Sequence, residues 1–215
     1  MRLIKYTHAC VRLEADGQSL VIDPGMWTEA EALDGVDHVL ITHEHPDHLD
    51  VERLSAAVAT NPALRIHAHA DVAGKVKELG PALVPVATGD EFDAGGFPVR
   101  VVGGDHAEIY QGLPGIPNLG YVIDVGTAGG GLYHPGDAFF VPDLPVATLL
   151  VPTSAPWLKV SESLDFVRAV KPRRAYSIHD ALLSERGAPI VDRWFEQKAE
   201  TEYARIPPGR SVTFD

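Results

Sequence analysis

The segment His43-Glu44-His45-Pro46-Asp47-His48 packs four potential metal ligands into six residues, directly after the apolar run His38-Val39-Leu40-Ile41-Thr42. Residues two apart on an extended chain point to one side, so His43 and His45 can converge on one ion. Pro46 ends the extended segment. Asp47-His48 then opens an amphipathic stretch running through Val58, whose apolar residues recur at helical intervals. Asp47 and His48 thus sit at a strand-to-helix turn, displaced from the first pair and able to serve a second ion. Imidazole and carboxylate suit borderline divalent ions such as zinc, whereas four thiolates would indicate a closed structural site. An open site of this kind points to catalysis. The bland alternative is a histidine-rich surface turn, since the chain holds ten His in 215 residues. Composition alone, however, should produce this four-ligand spacing on the order of once in a thousand such chains.

The elements that must carry such a centre alternate along the chain. Strand-like runs fall near residues 2–6, 10–15, 19–23, 38–42, 64–68, 98–103, 119–125, 131–133, 147–151, 173–178 and 211–214, with helical patterns at about 47–59, 70–79, 161–170 and 189–204. The early strands follow one another in hairpin fashion, with Ala15-Asp16-Gly17-Gln18 as a turn, and the later ones are separated by helices. Gly126-Thr127-Ala128-Gly129-Gly130-Gly131 lies between strand-like runs and has no following lysine, so it reads as a hairpin and not as a nucleotide loop. Nothing reads as a linker, and one layered α/β (α+β) domain over residues 1–215 is expected.

Composition fits an ordinary soluble enzyme. Hydrophobic residues make up 45% of 215, enough for one sizeable core. The formal charge of −12 argues against a nucleic-acid surface, which would need clustered Lys and Arg to displace counterions. The single cysteine, Cys10, excludes an intrachain disulfide framework and reads as a buried structural thiol. The start Met1-Arg2-Leu3-Ile4-Lys5-Tyr6 lacks the apolar run of a signal peptide, and no segment is long and apolar enough to span a bilayer. The cytoplasm is therefore the expected location, with no membrane partner, and oligomeric state has no sequence signal.

His43-x-His45-x-Asp47-His48 resembles the signature of the metallo-β-lactamase superfamily, a group of mostly hydrolytic enzymes. The resemblance extends from about residue 3 to residue 180. Val99-Arg100-Val101-Val102-Gly103-Gly104-Asp105-His106 offers the third histidine of a first metal site, and Leu132-Tyr133-His134-Pro135-Gly136-Asp137 offers a bridging aspartate. Arg174-Ala175-Tyr176-Ser177-Ile178-His179 ends on a further histidine, and Leu20-Val21-Ile22-Asp23-Pro24-Gly25 matches the early strand and turn. The resemblance implies a four-layer αββα sandwich, His43, His45 and His106 on one metal, Asp47, His48 and His179 on the other, and Asp137 between them. It implies two divalent ions, with zinc favoured and manganese or iron able to use the same ligands. Asp47 would orient a nucleophilic water and receive its proton. Taken singly, His106 is an ordinary loop histidine, Asp137 a turn residue and His179 a core histidine; the joint pattern raises all three.

Other residues carry less weight. His8 lies where the branch resembling L-ascorbate-6-phosphate lactonase often has a histidine near the site, as a supporting or substrate-contacting group. His134 is a catalytic candidate, able to donate to a leaving group, with support of the site as the competing role. His67 and His69 repeat the i, i+2 spacing without acidic partners and read as solvent-facing. The loop 108–118 is the candidate wall over the metals, and Trp157 in the segment 153–159 is read as core before substrate contact. Together these readings imply a dinuclear metal-dependent hydrolase acting on a carbonyl ester or lactone of a small molecule. A phosphodiesterase or nuclease on the same metals is the alternative, and a non-catalytic binding protein of the same fold is a third reading.

Overall fold

The computed structural model describes residues 1–113, 115–126 and 129–214. Pro114 of the expected wall loop and Thr127 and Ala128 of the expected hairpin tip lie outside the described residues. Among the described residues fourteen strands form two sheets. The first sheet contains β1 (Arg2–Lys5), β2 (Val11–Ala15), β3 (Gln18–Ile22), β4 (His38–Leu40), β5 (Arg65–His69) and β6 (Leu83–Val86). The second contains β7 (Glu91–Asp93), β8 (Pro98–Asp105), β9 (Pro117–Ile123), β10 (Gly131–His134), β11 (Val146–Pro152), β12 (Arg174–Ile178) and β13 (Glu202–Ala204). The last strand, β14 (Ser211–Thr213), returns to the first sheet beside β1.

Each sheet pairs in the same way: three antiparallel pairings followed by three parallel ones, in the orders β14-β1-β2-β3-β4-β5-β6 and β7-β8-β9-β10-β11-β12-β13. The chain therefore has two similar halves, a symmetry with no fixed-period repeat in its sequence. The antiparallel pairing of β9 with β10 agrees with the hairpin expected around residues 126–131.

Side-chain alternation assigns three apolar layers. Leu20, Ile22 and Leu40 of the first sheet meet Leu119, Tyr121, Ile123 and Leu150 of the second in a central core. Val21, Val39, Ile41 and Ile66 point the other way, under α1 (Val51–Thr60) and α2 (Ala70–Lys75). Tyr133, Leu149 and Val151 lie under α3 (Val160–Val170) and α4 (Ala188–Lys198). The result is the four-layer αββα sandwich. β11 is buried along its whole length, as expected of a parallel strand covered on both faces.

Three helical expectations need correction. The helix expected from residue 47 begins at Val51, because the Asp50 carboxylate caps it by accepting from the Arg53 N–H at 3.1 Å. The helix expected over 70–79 stops at Lys75 and gives way to a 3-10 turn, Lys77–Ala82, kinked at Gly80 with φ +53°. The helix expected to run to 204 ends at Lys198. Glu200 takes φ +58°, and residues 202–204 pair in parallel with β12 while Tyr203 stacks on Phe195 at 4.8 Å.

His67 also departs from its solvent-facing reading. It is 5% exposed, stacks on Phe92 with ring centroids 4.4 Å apart, and has Nε2 3.2 Å from His38 Nδ1. His69 is half-buried and its Nδ1 accepts from the Asp71 N–H at the start of α2. Burial holds the His67 pKa down at about 4, against roughly 6.5 for a free histidine. Between those pH values the unfolded chain binds a proton that the folded chain refuses, so stability falls as pH drops through that window. His67→Phe is expected to remove about 2 kcal/mol of the stability lost between pH 7.5 and pH 5. Urea midpoints at the two pH values check this; an unchanged difference would show that His67 does not resist protonation.

Candidate metal centre

The chain ends β4 at Leu40 and turns, so His43 and His45 meet just beyond the strand, with Nε2 and Nδ1 3.0 Å apart. The turn is closed by the His48 and Leu49 N–H groups, both donating to the His45 carbonyl at 2.9 Å. Its tightness depends on Gly25, where an added Cβ would lie 1.9 Å from the Asp47 carbonyl oxygen. His106 arrives just past β8, Asp137 in the loop after β10 and His179 directly after β12. Gly136, with φ +62°, lets the chain reach Asp137; a Cβ there would sit 2.3 Å from Asn118 Oδ1.

Two groups of potential ligand atoms result, each within 4.8 Å of one another: His43, His45, His106 and Asp137, and His8, Asp47, His48 and His179. Asp137 links them. Its Oδ1 lies 3.1 Å from His48 Nε2, and its Oδ2 lies 3.0 Å from His179 Nε2, 3.5 Å from His106 Nε2 and 4.0 Å from His43 Nε2. His48 Nε2, His106 Nε2, His179 Nε2 and Asp137 Oδ1 are buried without a hydrogen bond. Buried polar atoms seldom stand unpaired, and these point at common centres, so the donor set fits divalent metal ions.

The far side of four of these imidazoles is occupied. His48 Nδ1–H donates to Asp23 Oδ2 at 2.7 Å, His106 Nδ1–H to the Ala107 carbonyl at 2.6 Å, and His179 Nδ1–H to the Ser154 carbonyl at 2.5 Å. His43 Nδ1 meets Thr42 Oγ1 at 3.0 Å, and that hydroxyl donates to Asp23 Oδ2 at 2.7 Å. Such partners fix the tautomer that presents a lone pair from Nε2. Asp23, Thr42 and Asn118 escaped the sequence reading as functional residues. Asn118 Oδ1 accepts from the Asp137 N–H at 2.9 Å, and its Nδ2–H donates to the Pro135 carbonyl at 2.8 Å.

His8 belongs beside Asp47. The Ala181 N–H donates to His8 Nδ1 at 3.4 Å, which leaves Nε2–H to donate to Asp47 Oδ2 at 3.1 Å. Its φ of +68° is held from below by the buried Lys5, whose Nζ donates to the His8 carbonyl at 2.6 Å and pairs with Asp180 at 3.5 Å. Asp23 and His179 also take positive φ, so three residues at the centre adopt backbone shapes that side chains rarely accept.

His134 needs correction as a catalytic candidate. It is fully buried, its Nδ1 accepts from the Gly136 N–H at 3.1 Å, and its Nε2–H donates to the Ala9 carbonyl at 2.9 Å. With both nitrogens committed to backbone, it cannot serve a leaving group; it ties the turn before β2 to the Asp137 loop. Trp157 is half-buried against Phe139, 5.2 Å between rings, yet its Nε1–H donates to Asp137 Oδ2 at 3.0 Å.

Burial, with neighbouring imidazoles, pushes the His43 pKa well below its usual value; it lowers His45 and brings His8 to about 4. Burial alone would also neutralise His48, but Asp137 and Asp23 hold its proton on and raise its pKa well above 6.5. Burial works against ionised Asp47 and Asp137 too, and is outweighed by the histidines around them. Asp47 is held at about 2 and Asp137 well below its usual range. Neutral imidazoles and ionised carboxylates are the forms that bind metal, so an ion held by His48 would take the place of the proton that Asp137 and Asp23 keep on its ring. Cys10 is buried, with its thiol pKa raised by desolvation, as suits a structural residue.

A two-sheet sandwich with converging His and Asp groups beyond its strand ends defines the metallo-β-lactamase class of metal-dependent hydrolase. Residues 2–179 match the beta-lactamase superfamily domain, and the chain belongs to that family. It is 37% identical over 215 residues to Protein Rv0786c of Mycobacterium tuberculosis, with 100% of both chains covered. It is 27% identical over 238 residues to a UPF0173 metal-dependent hydrolase of Chelativorans sp., covering 99% of each. The fold is also that of Igni18, a metallo hydrolase of Ignicoccus hospitalis, with a TM-score of 0.74, 19% identity and coverage of 100% of this chain and 98% of that one. Among the described residues no helix is long and apolar enough to cross a membrane.

Proposed function

We propose that the chain hydrolyses a carbonyl ester or lactone of a small molecule with two divalent ions, zinc being favoured. His43, His45 and His106 would hold one, Asp47, His48 and His179 the other, with Asp137 shared. The observation that carries this reading is the placement of Asp137, whose two oxygens face both groups of imidazoles. Bound divalent ions supply Lewis acidity that lowers the pKa of water and polarises the oxygen under attack.

The chain's own residues do the remaining work. Asp47 retains 22% side-chain exposure, against 4% for Asp137, so it can meet a water entering from solvent. Its carboxylate orients that water and takes its proton. His8 Nε2–H holds Asp47 Oδ2 and keeps the other oxygen free for this role. Asp23, through His48 and Thr42, fixes the rings on which the centre depends.

Trp157 restrains Asp137 through one N–H. Trp157→Phe keeps the ring and loses the donor, so metal affinity is expected to fall about tenfold with little change in melting temperature. Competitive titration with a chromophoric chelator measures it; unchanged affinity would reduce the contact to packing.

The test of the reaction is hydrolysis by chelator-treated and reconstituted protein of lactones, carboxylic esters and phosphodiesters. Metal-dependent turnover of lactones or esters is expected. Turnover of phosphodiesters alone would establish the alternative, and turnover insensitive to chelation would remove the metal mechanism.

A further inference from the structure

We propose that the mouth of this centre selects an uncharged substrate with an apolar aliphatic or aromatic group and disfavours anionic phosphodiesters, an inference that rests on the ester or lactone reading above. Two indoles flank the centre. Trp27 meets His8 edge-on with ring centroids 4.8 Å apart and remains 41% exposed. Trp157 lies 6.0 Å from the His106 ring and 6.1 Å from the His179 ring.

Exposed apolar side chains then continue along the loops that leave the centre: Met26 beside Trp27, Tyr110 and Leu113 after His106, Phe140 after Asp137 and Leu182 after His179. Backbone bonds hold these loops to the site. The Met26 N–H donates to the Pro46 carbonyl at 2.8 Å, and the Ala107 N–H to the Asp137 carbonyl at 2.8 Å. Tyr110 is 74% and Leu113 57% exposed. Scattered apolar side chains need no explanation, but these follow Asp23, His106, Asp137 and His179 by three to seven positions along their loops, beside the exposed Trp27, and apolar walls around a few polar groups are what ligand sites present.

Charge separates the substrate classes. Segments 25–29, 107–113 and 138–144 carry Glu29, Glu108 and Asp143 and no Lys or Arg; Asp180 is neutralised by Arg205 at 2.6 Å and Lys5 at 3.5 Å, and Lys159, two residues past Trp157, is paired with Glu162 at 3.2 Å. Divalent ions at the centre would attract a phosphodiester, but on its way in it meets Glu29, Glu108 and Asp143 and, within these three segments, no guanidinium or ammonium to pair with. A neutral acyl or alkyl group avoids that repulsion and gains from leaving water.

The test separates binding from turnover. p-Nitrophenyl methyl and hexyl ethers, which the enzyme cannot cleave as esters, are titrated into metal-loaded protein and followed by tryptophan fluorescence. p-Nitrophenyl acetate, p-nitrophenyl hexanoate and bis(p-nitrophenyl) phosphate are assayed beside them. The hexyl ether is expected to bind about tenfold tighter than the methyl ether, with a similar ratio of kcat/KM for hexanoate over acetate and the phosphate poorest. The double variant Tyr110→Ser, Leu113→Ser should bring both ratios toward one, while Ile190→Ser, on the exposed face of α4, should leave them unchanged. Equal binding of the two ethers, or preference for the phosphate, overturns the proposal. So does a double variant that keeps both ratios and changes the sedimentation coefficient, since the surface would then be covered by a second copy of the chain. Chain-length-dependent ether binding without ester turnover would refute the ester reading and leave the apolar mouth standing; ester turnover without chain-length dependence would do the reverse.

Discussion

Asp137→Ala is expected to reduce bound metal to one ion or fewer per chain and to lower metal-dependent kcat/KM by at least about a thousandfold. Asp137 is 3% exposed, and His48 and His179 face its two oxygens at 3.1 Å and 3.0 Å. Alanine removes the shared carboxylate and leaves the two groups of imidazoles without the negative charge that joins them. Folding should survive, because the loop is held through the backbone: Asn118 takes the residue-137 N–H and Ala107 donates to its carbonyl. Elemental analysis of purified protein, with circular dichroism and the hydrolysis rate, reads all three quantities. Two ions and a normal rate in the variant would sink the proposed ligand set.

Asp23→Ala should act on stability and metal binding together. Asp23 is fully buried and accepts from the Thr42 N–H at 2.8 Å, the Thr42 hydroxyl at 2.7 Å and His48 Nδ1–H at 2.7 Å. Alanine strands all three donors away from water, at an expected cost of about 3 kcal/mol or more. It also frees the His48 ring to turn, so metal affinity should drop by about 10- to 100-fold. Urea unfolding of the metal-free protein measures the first effect and a zinc titration the second. A stability loss with unchanged zinc affinity would mean that Asp23 supports the strand end alone and does not orient His48.

Much of this was legible from local pattern. His43, His45, Asp47 and His48 stand out because residue type and spacing are contiguous, and the apolar runs Leu20-Val21-Ile22 and Val39-Leu40-Ile41 mark strands, while which of their side chains face the central core is set by the packing of the sheets. The errors came where a distant partner decides. His67 looked exposed because Ile66 and Ala68 take the helix-covered side of β5; its own side faces inward, where Phe92 of the second sheet covers it. Residues 202–204 continued a helical pattern until pairing with β12 drew them into the sheet edge. His134 looked reactive from its closeness to Asp137, whereas its burial and its bond to the Ala9 carbonyl depend on a segment from the other end of the chain.

The sequence by itself determined the candidate ligand set, most of the order of elements and the layered class, because each depends on residue type and short-range periodicity; β6, β7 and β13 lie outside the strand runs it marks. Only the tertiary structure decided which candidate ligands face one another through Asp137, that Asp23 and Asn118 orient them, and that Trp157 gives its N–H to the Asp137 carboxylate. Those relations arise where two sheets built from distant segments pack face to face, and no spacing along the chain encodes the distance between their ends.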